Sequence, residues 1–247
     1  MSGIFGYELK KLIFSKLFLS LALITGLYSY FTLSRKIITG IAFTAPFSPW
    51  SYGAYLANIM PLLVITLLFF VSIMYSKQEK QVKQITFTTP VDPVKYGFVK
   101  CAAITTGFLI ISLFVILISM AFFVILFRFY NFGNFIIPIV ITLIPGMLFI
   151  LGAGLLLGGI HTNILYILMI AALLFGFLSP PAFFDLYGGS FFSAYPLTLS
   201  VGLDGEPPFA LPISFISGRV FFSTAGILMV LLGIKRYKTK NLFVARV

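Results

Sequence analysis

Side chains that commonly perform enzyme chemistry are scarce in this sequence. Its 247 residues include six carboxylates, one histidine and one cysteine. His161 lies in the turn His161-Thr162-Asn163 and Cys101 begins an apolar run, so the sequence offers neither a cysteine-based metal site nor a nucleophile paired with a base. It also contains no G-x-x-x-x-G-K-[ST] loop, which would hold ATP phosphates. We predict that the chain is not an enzyme and itself binds no metal or cofactor.

Five polar residues inside apolar segments are candidates for a substrate path. Four of them recur at spacings of three and four residues, which places them on one face of a helix. The fifth lies in the next apolar segment. Such residues either line a path for a substrate or form hydrogen bonds with neighbouring helices. The five residues are Thr25, Tyr28, Ser29, Thr32 and Asn58.

Arg219 is a cation close to one end of an apolar segment. A long cationic side chain in this position either extends past the end of the segment or pairs with a carboxylate. The candidate pair is Arg219 with Asp185, which would pin the connection between them, and Asp204 and Glu206 are alternative partners.

The composition identifies the solvent that surrounds the elements carrying these residues. Hydrophobic residues make up 60% of the chain, charged residues 9%, and the mean hydropathy is +1.10. A soluble domain would have roughly a quarter charged residues. The net charge of +11 does not indicate nucleic-acid binding, because the cations gather between apolar segments instead of along one face. We predict an all-α integral membrane protein with a single transmembrane domain, residues 1–247.

Six apolar segments reach the length of about 20 residues that a membrane helix needs. An even number of spans places both termini on one side of the membrane. That side has thirteen of the 17 cations, three in 1–16, five in 77–100 and five in 235–247, and the other side has four. The positive-inside rule therefore predicts that the termini and the 77–100 loop are on the cytoplasmic side of the cell membrane. The spans are about 17–34, 56–75, 101–127, 135–160, 164–183 and 214–234.

Three further segments have distinctive patterns. Residues 1–16 have apolar positions at helical spacing and predict an amphipathic helix on the inner leaflet, with a disordered basic leader as the alternative. Residues 77–100 begin with a narrow apolar strip and turn at Pro90, so they are either a helix that docks on a partner or a solvated loop that serves topology. Residues 184–213 are too apolar for a solvated loop and too rich in Gly and Pro to span, and they predict a broken outer hairpin before the last span.

This layout resembles the membrane subunits of type-2 ABC exporters, the ABC-2 permease family. The local signature of that family is an acidic residue in the loop helix, then a small or hydroxyl residue with Pro and Val, then a Lys that enters the third span. Here the signature reads Glu79, Thr89-Pro90-Val91 and Lys100. The resemblance covers the whole chain in layout but only the 77–100 loop in motif, and the loop departs from the family in its Gln-rich sequence and in Asp92-Pro93.

The resemblance implies that residues 77–89 form a coupling helix that docks on a separate ABC ATPase subunit. ATP and Mg²⁺ would then bind to that partner. The other partners implied are a second permease copy or a homologous permease, and membrane lipid. The residues expected at the ATPase contact are Glu79, Val82, Ile85, Phe87 and Pro90.

The leading functional hypothesis is a permease subunit of an ATP-driven ABC transporter. Its apolar spans favour export of an amphipathic or hydrophobic cargo, such as an antimicrobial peptide or a lipid-like molecule. The alternative is a polytopic membrane scaffold or assembly factor that transports nothing, in which the basic loop serves only topology.

Overall fold

The computed structural model describes residues 2–76, 79, 81, 92–202 and 205–244. Helices and no β-strands occur in these residues, so the predicted all-α fold is confirmed for them. A π-helix at Leu33–Ile37 extends the second α-helix, and 3₁₀ turns occur at Phe132–Phe135 and Tyr195–Thr198. The α-helices are α1 Ser2–Ile13, α2 Lys16–Thr32, α3 Pro49–Met74, α4 Pro93–Phe127, α5 Ile136–Ile160, α6 Thr162–Phe175, α7 Gly189–Ala194 and α8 Ile213–Val244.

Five helical segments are long and apolar enough to cross a membrane, so the chain is a multi-pass membrane-embedded protein. Each of them overlaps one predicted span. The five segments are Lys16–Ile37, Pro49–Met74, Val94–Phe127, Phe132–Ile160 and Ile213–Arg236.

The predicted span 164–183 is not confirmed as a helix of spanning length. The helix found there, α6, has 14 residues, or about 21 Å at 1.5 Å per residue, whereas the hydrocarbon core is about 30 Å thick. It ends at Phe175 and is followed by Gly176, and the Pro180-Pro181 pair then prevents regular helix.

Two spanning helices begin earlier than the sequence predicts, because capping side chains stabilise polar first turns. The side chain of Ser48 accepts a hydrogen bond from the Ser51 N–H and Pro49 occupies the first turn, so α3 includes residues predicted to lie in a connection. The Asp92 carboxylate likewise accepts a hydrogen bond of 2.9 Å from the Val94 N–H at the start of α4. The predicted turn at Pro90 lies outside the described residues, and Pro93 is the first residue of α4.

Several helix ends meet at one end of the bundle, which we call the loop end because α3 leaves it and α4 enters it. Phe18, near the start of α2, stacks on Phe70, near the end of α3, at a ring distance of 5.7 Å. Tyr75 directly follows α3 and donates a hydrogen bond to the carbonyl of Leu155, near the end of α5, at 2.8 Å. We call the opposite end of the bundle the distal end.

Helices α5 and α8 run parallel in close contact. Phe149 packs edge-on against Phe222 at 5.1 Å, and further along both helices Leu155 lies against Gly233. Because α5 ends at the loop end and α8 begins at the distal end, the chain between them must return across the bundle. Helix α6 and the irregular segment after it make this return, so the last turns of α8 lie at the same end as the first turn of α2.

One glycine permits this close approach. A Cβ at Gly226 of α8 would lie 2.5 Å from the carbonyl carbon of Leu148 and 2.6 Å from the backbone nitrogen of Phe149. These neighbours are backbone atoms of α5, which cannot rotate away as a side chain could. The two helices therefore pack backbone to backbone, as small residues allow in membrane proteins.

The connection before α3 and the connection before α8 pack on each other at the distal end. The Trp50 indole, 1% exposed, donates a hydrogen bond of 3.2 Å to the carbonyl of Pro207. The Ala45 N–H donates one of 2.7 Å to the Glu206 carboxylate. The sequence pattern suggests an interfacial position for Trp50, but the structure buries it among aromatic rings. These rings belong to Phe191, Phe192, Tyr195 and Phe209.

Candidate functional site

A group of charged side chains lies at the loop end, where α1, the segment after α3 and the first two turns of α4 meet, and Glu79 and Lys100 of this group are buried whereas Lys11 is 44% exposed. We call it the ionic cluster. It joins three parts of the chain through contacts between residues that are 17 to 92 positions apart. Its members are Glu8 and Lys11 of α1, Glu79, and Tyr96 and Lys100 of α4.

Glu79 is the centre of the ionic cluster, and its side chain is only 2% exposed. Its Oε1 accepts hydrogen bonds from Lys100 Nζ and, at 3.3 Å, from the Tyr96 hydroxyl. Its Oε2 pairs with Lys11 Nζ at 3.2 Å. The Glu79 N–H also donates to the Ser76 hydroxyl at 3.2 Å, which fixes the backbone that carries the carboxylate.

Lys100 connects this carboxylate to α1. Its ammonium lies 3.7 Å from Glu8 Oε1 and 5.0 Å from the centre of the Tyr96 ring. The Tyr96 hydroxyl reaches the same Glu8 oxygen at 3.5 Å. The Lys100 side chain is 4% exposed, so its charge is compensated almost entirely by protein groups.

The cost of burying ions explains why these residues occur together. Removing one ion from water costs several kcal/mol, and only well-placed opposite charges and hydrogen bonds compensate for it. The cluster has two carboxylates and two ammonium groups, so its formal charges balance. The beginning of the basic loop is thereby fixed to α1 and α4.

A cavity of about 160 Å³ adjoins the ionic cluster. One wall is formed by the charged groups, and the other walls are apolar side chains from α1, α3 and α4. Its lining residues are Glu8, Lys11, Leu12, Ser15, Phe70, Ile73, Met74, Glu79, Lys100, Ala103 and Ile104.

The predicted ATPase contact is described only at its beginning. Glu79 and Gln81 have helical conformation, and the Glu79 carboxylate points into the ionic cluster. The two ends of the family signature, Glu79 and Lys100, contact each other directly. The other predicted contact residues, Val82, Ile85, Phe87 and Pro90, lie outside the described residues.

The predicted polar stripe of α2 is mostly turned into the bundle. Thr25, Ser29 and Thr32 are buried. Ser29 shares a hydrogen bond of 2.6 Å with the Tyr55 hydroxyl of α3, whereas Tyr28 is 40% exposed. The structure therefore separates Tyr28 and the partly exposed Asn58 from the other three path candidates.

Arg219 and Asp185 lie in one buried region at the distal end but bond to different groups. Arg219 Nη1 donates a hydrogen bond to the carbonyl of Leu186, and the guanidinium lies 4.3 Å from the centre of the Phe215 ring. Asp185 accepts hydrogen bonds from its own turn. No ion pair within 4 Å joins the two residues in the part of the chain that the structure describes. Glu206 binds Ala45 instead, and Asp204 lies outside the described residues.

Asp185 organises the turn formed by residues 185–191, which we call the Asp185 turn. Its carboxylate accepts hydrogen bonds from Gly188 N at 2.8 Å, Ser190 Oγ at 2.6 Å and Phe191 N at 3.0 Å. Gly188 has φ of +86°, and a Cβ there would lie 2.8 Å from Arg219 Nη2. This position therefore requires glycine both for its backbone conformation and for space.

The roles of Glu8, Lys11 and Tyr96 in the ionic cluster were not predicted from the sequence. One signal was available for Glu8, because it is the single acid in the otherwise basic first 16 residues. A single acid among cations indicates a candidate for an ion pair. The partner itself was not predictable, since it depends on how α1 folds back along α4.

No protein-family model, no curated protein and no solved structure matches the chain. The residues and contacts described above, together with the resemblance in layout and motif, are therefore the basis for a proposed function.

Proposed function

We propose that this chain is the membrane-spanning permease subunit of an ATP-driven ABC transporter of the type-2 exporter class. In this proposal the 77–89 segment is the coupling helix. The loop end faces the cytoplasm of the cell, as the excess of cations there supports. ATP hydrolysis takes place on a separate ATPase subunit.

The observation that carries the proposal is the burial of Glu79 in the ionic cluster. A loop that served only topology would need cations near the membrane surface, but it would not need a carboxylate that is 2% exposed and held by two lysines. The ion pairs connect the beginning of the loop to α1 and to a spanning helix. A push on the loop would therefore be transmitted to both helices, as coupling to a motor requires.

Two such chains, or one chain and a homologous permease, would form the complete membrane unit with two ATPases. Closure of the ATPases would move the coupling helices, and the cargo would pass outward between the two bundles. The apolar character of the spans supports an amphipathic or hydrophobic cargo, a peptide or a lipid-like molecule.

Co-purification with an ABC ATPase tests the proposal, and the candidate is an ATPase whose gene is found beside the gene for this chain. The tagged full-length chain is co-expressed with that ATPase, and the bound ATPase and its ATP hydrolysis are measured after purification in detergent. We expect a stable complex from the native chain. The triple variant Val82→Asp, Ile85→Asp, Phe87→Asp should lose it, because charges in an apolar contact are desolvated without partners.

The matched control is Phe43→Asp, which changes an aromatic residue that is 94% exposed at the distal end. It should leave the complex intact. If the native chain binds no ATPase, or if both variants retain it equally, then the loop is not a docking element and a scaffold role is favoured.

A further inference from the structure

We propose that Lys36, Asn58 and Tyr28 form a binding site for the anionic headgroup of an amphiphile, on the exposed flank between α2 and α3. The ligand class is a phosphate or carboxylate attached to an apolar chain. The inference deepens the proposed function and rests on it for its role in transport, because it identifies the chemistry of a cargo that the site would receive. We call these three residues the anion site.

The three residues are joined by hydrogen bonds. Lys36 Nζ donates to Asn58 Oδ1 at 2.9 Å, and the Tyr28 hydroxyl reaches the Asn58 carbonyl at 3.5 Å. The Asn58 amide donates to the Ala54 carbonyl at 2.7 Å, which fixes the orientation of the amide with its oxygen toward Lys36. The ammonium group therefore has a defined position and two further donor hydrogens.

The anion site lies within the depth of the hydrocarbon core. Asn58 is the tenth residue of Pro49–Met74, so it lies about 14 Å along the axis from the start of α3. The whole helix has 26 residues and is about 39 Å long, about 9 Å more than the hydrocarbon core. If this excess is shared between both ends, Asn58 is well inside the apolar layer.

The Lys36 side chain points toward that layer. The Cα–Cβ bond of a helical residue tilts toward the start of its helix, and α2 starts at the loop end. The hydrogen bond to Asn58 keeps the Lys36 ammonium directed toward the middle of the membrane. A lysine that extended to the lipid headgroups would instead point toward the distal end. Lys36 is exposed, so the protein does not enclose its charge.

The charge of Lys36 lacks a carboxylate among the described residues, none of which comes within 4 Å of its ammonium. A charged group at this depth is costly, so membrane proteins pair it or use it for a ligand. An anionic headgroup would supply the missing charge. The adjoining exposed side chains of α2 are apolar and would contact the chain of the amphiphile. They are Ile24, Leu27 and Phe31.

Arg35 provides a matched control. It is the adjacent residue, it is exposed, and it has the same charge, but no hydrogen bond joins it to Asn58 among the described residues. General attraction of anions to this end of α2 would depend on both residues equally, whereas the anion site depends on Lys36.

The experiment measures ligand affinity of the purified full-length chain in detergent, without ATPase. The probes are phosphatidylglycerol, dodecanoate, phosphatidylcholine and inorganic phosphate. In Lys36→Gln we expect the affinity for phosphatidylglycerol and dodecanoate to fall by about tenfold or more, the factor for one charge-assisted hydrogen bond. In Arg35→Gln it should change less than twofold, and Lys36→Arg should retain most of the affinity. Inorganic phosphate should not bind measurably, because it has no apolar chain.

Equal losses in Lys36→Gln and Arg35→Gln would overturn the proposal, and so would binding that neither variant alters. Dissociation of a dimer in Lys36→Gln with unchanged lipid affinity would overturn it too, since a second protein chain would then cover the site. Tight binding of dodecanoate alone would identify a carboxylate amphiphile, and binding of phosphatidylglycerol alone would identify a lipid phosphate. Because no ATPase is present, this result is independent of the co-purification test.

Discussion

The ionic cluster at the loop end and the Asp185 turn at the distal end both contain a buried carboxylate. The carboxylate of the cluster contacts other helices, whereas the carboxylate of the turn contacts its own segment. Glu79 is bound by lysines from α1 and α4, at sequence separations of 68 and 21 residues. Asp185 is bound by two backbone N–H groups and one hydroxyl within six residues of itself. The ionic cluster is a connection between helices, whereas the Asp185 turn is a local support for the start of α7.

This difference indicates where motion can be transmitted. The Asp185 turn is held from within its own segment, whereas neutral aromatic packing around Trp50 and the hydrogen bonds from Trp50 to Pro207 and from Ala45 to Glu206 join separate segments at the distal end. At the loop end the parts that touch are separate elements held by charge. A displacement of the 77–91 segment would therefore affect α1 and α4 before it affected the distal end.

Removal of Lys100 should have the largest effect and would break the loop-end connection. Lys100→Met leaves the Glu79 and Glu8 carboxylates near each other without their shared cation. Loss of one partner of a buried pair costs about 3–5 kcal/mol. We expect this loss in the free energy of unfolding, measured by denaturation of the purified chain in detergent.

The charge-conserving variant Lys100→Arg is the control and should retain most of the stability. The double variant Lys100→Met, Glu79→Met should recover much of the loss, because an apolar pair can replace a buried ion pair. If Lys100→Met is as stable as the native chain, then the ionic cluster does not hold these elements together.

Removal of Asp185 should have an intermediate effect that stays local. Asp185→Ala leaves the Gly188 and Phe191 N–H groups without their acceptor, whereas the Ser190 hydroxyl keeps the Pro180 carbonyl at 2.8 Å, and the cost should be about 2–3 kcal/mol in total. Hydrogen exchange should increase in residues 185–194 and remain unchanged in α1 and the first turns of α4.

Ser190→Ala is a milder change to the same turn, because it removes one of the three donors to the Asp185 carboxylate. It should lower the free energy of unfolding by about 1 kcal/mol. Faster exchange in α1 of the Asp185→Ala variant would contradict the contrast between a local turn and a connection of helices.

The smallest expected effect concerns two tyrosines, one at each end of the bundle. Tyr75 donates to Leu155 at the loop end, and Tyr187 donates to Ala172 near the distal end, at 2.8 and 2.9 Å. Substitution of either by Phe should cost about 1 kcal/mol at pH 8. Equal losses would show that neutral hydrogen bonds contribute alike at both ends, so that the ends differ by their charges.

The pH dependence of the two Phe variants gives a further measurement. Burial raises the pKa of Tyr75 and of Tyr187 above the ordinary value for tyrosine. The folded chain therefore favours the neutral phenol, and this stabilisation is complete below about pH 10, where unfolded tyrosine begins to ionise. Above that pH the native chain should lose stability and the difference from each Phe variant should narrow. A constant difference up to pH 11 would contradict the prediction.

Hydrophobic runs predicted the positions of the spanning helices because lipid requires continuous apolar surface. Their beginnings were harder to predict, since polar first turns depend on capping side chains. Ser48 and Asp92 are such caps, and each precedes a proline, so these signals were present in the sequence. The short length of α6 follows from Gly176 and Pro180. The predicted span counted apolar positions only and did not consider residues that end a helix.

The ionic cluster was predictable only in part. The sequence motif identified Glu79 and Lys100 as two points of one signature, but their contact depends on α3 and α4 lying side by side. Glu8 joins them because α1 folds back along α4, a tertiary arrangement that no local pattern encodes. The direction of the Lys36 side chain, toward the middle of the membrane, likewise depends on Asn58 of a different helix.

The cavity of about 160 Å³ beside Glu79 and Lys100 has room for several water molecules at about 30 Å³ each. Hydration of the charged wall would let the lysines exchange a carboxylate for water without crossing an apolar gap. The energy needed to separate these ions would then be smaller than in a dry interior. The ion pairs between Glu79 and the two lysines could thus be stable at rest and still separate when the loop is displaced.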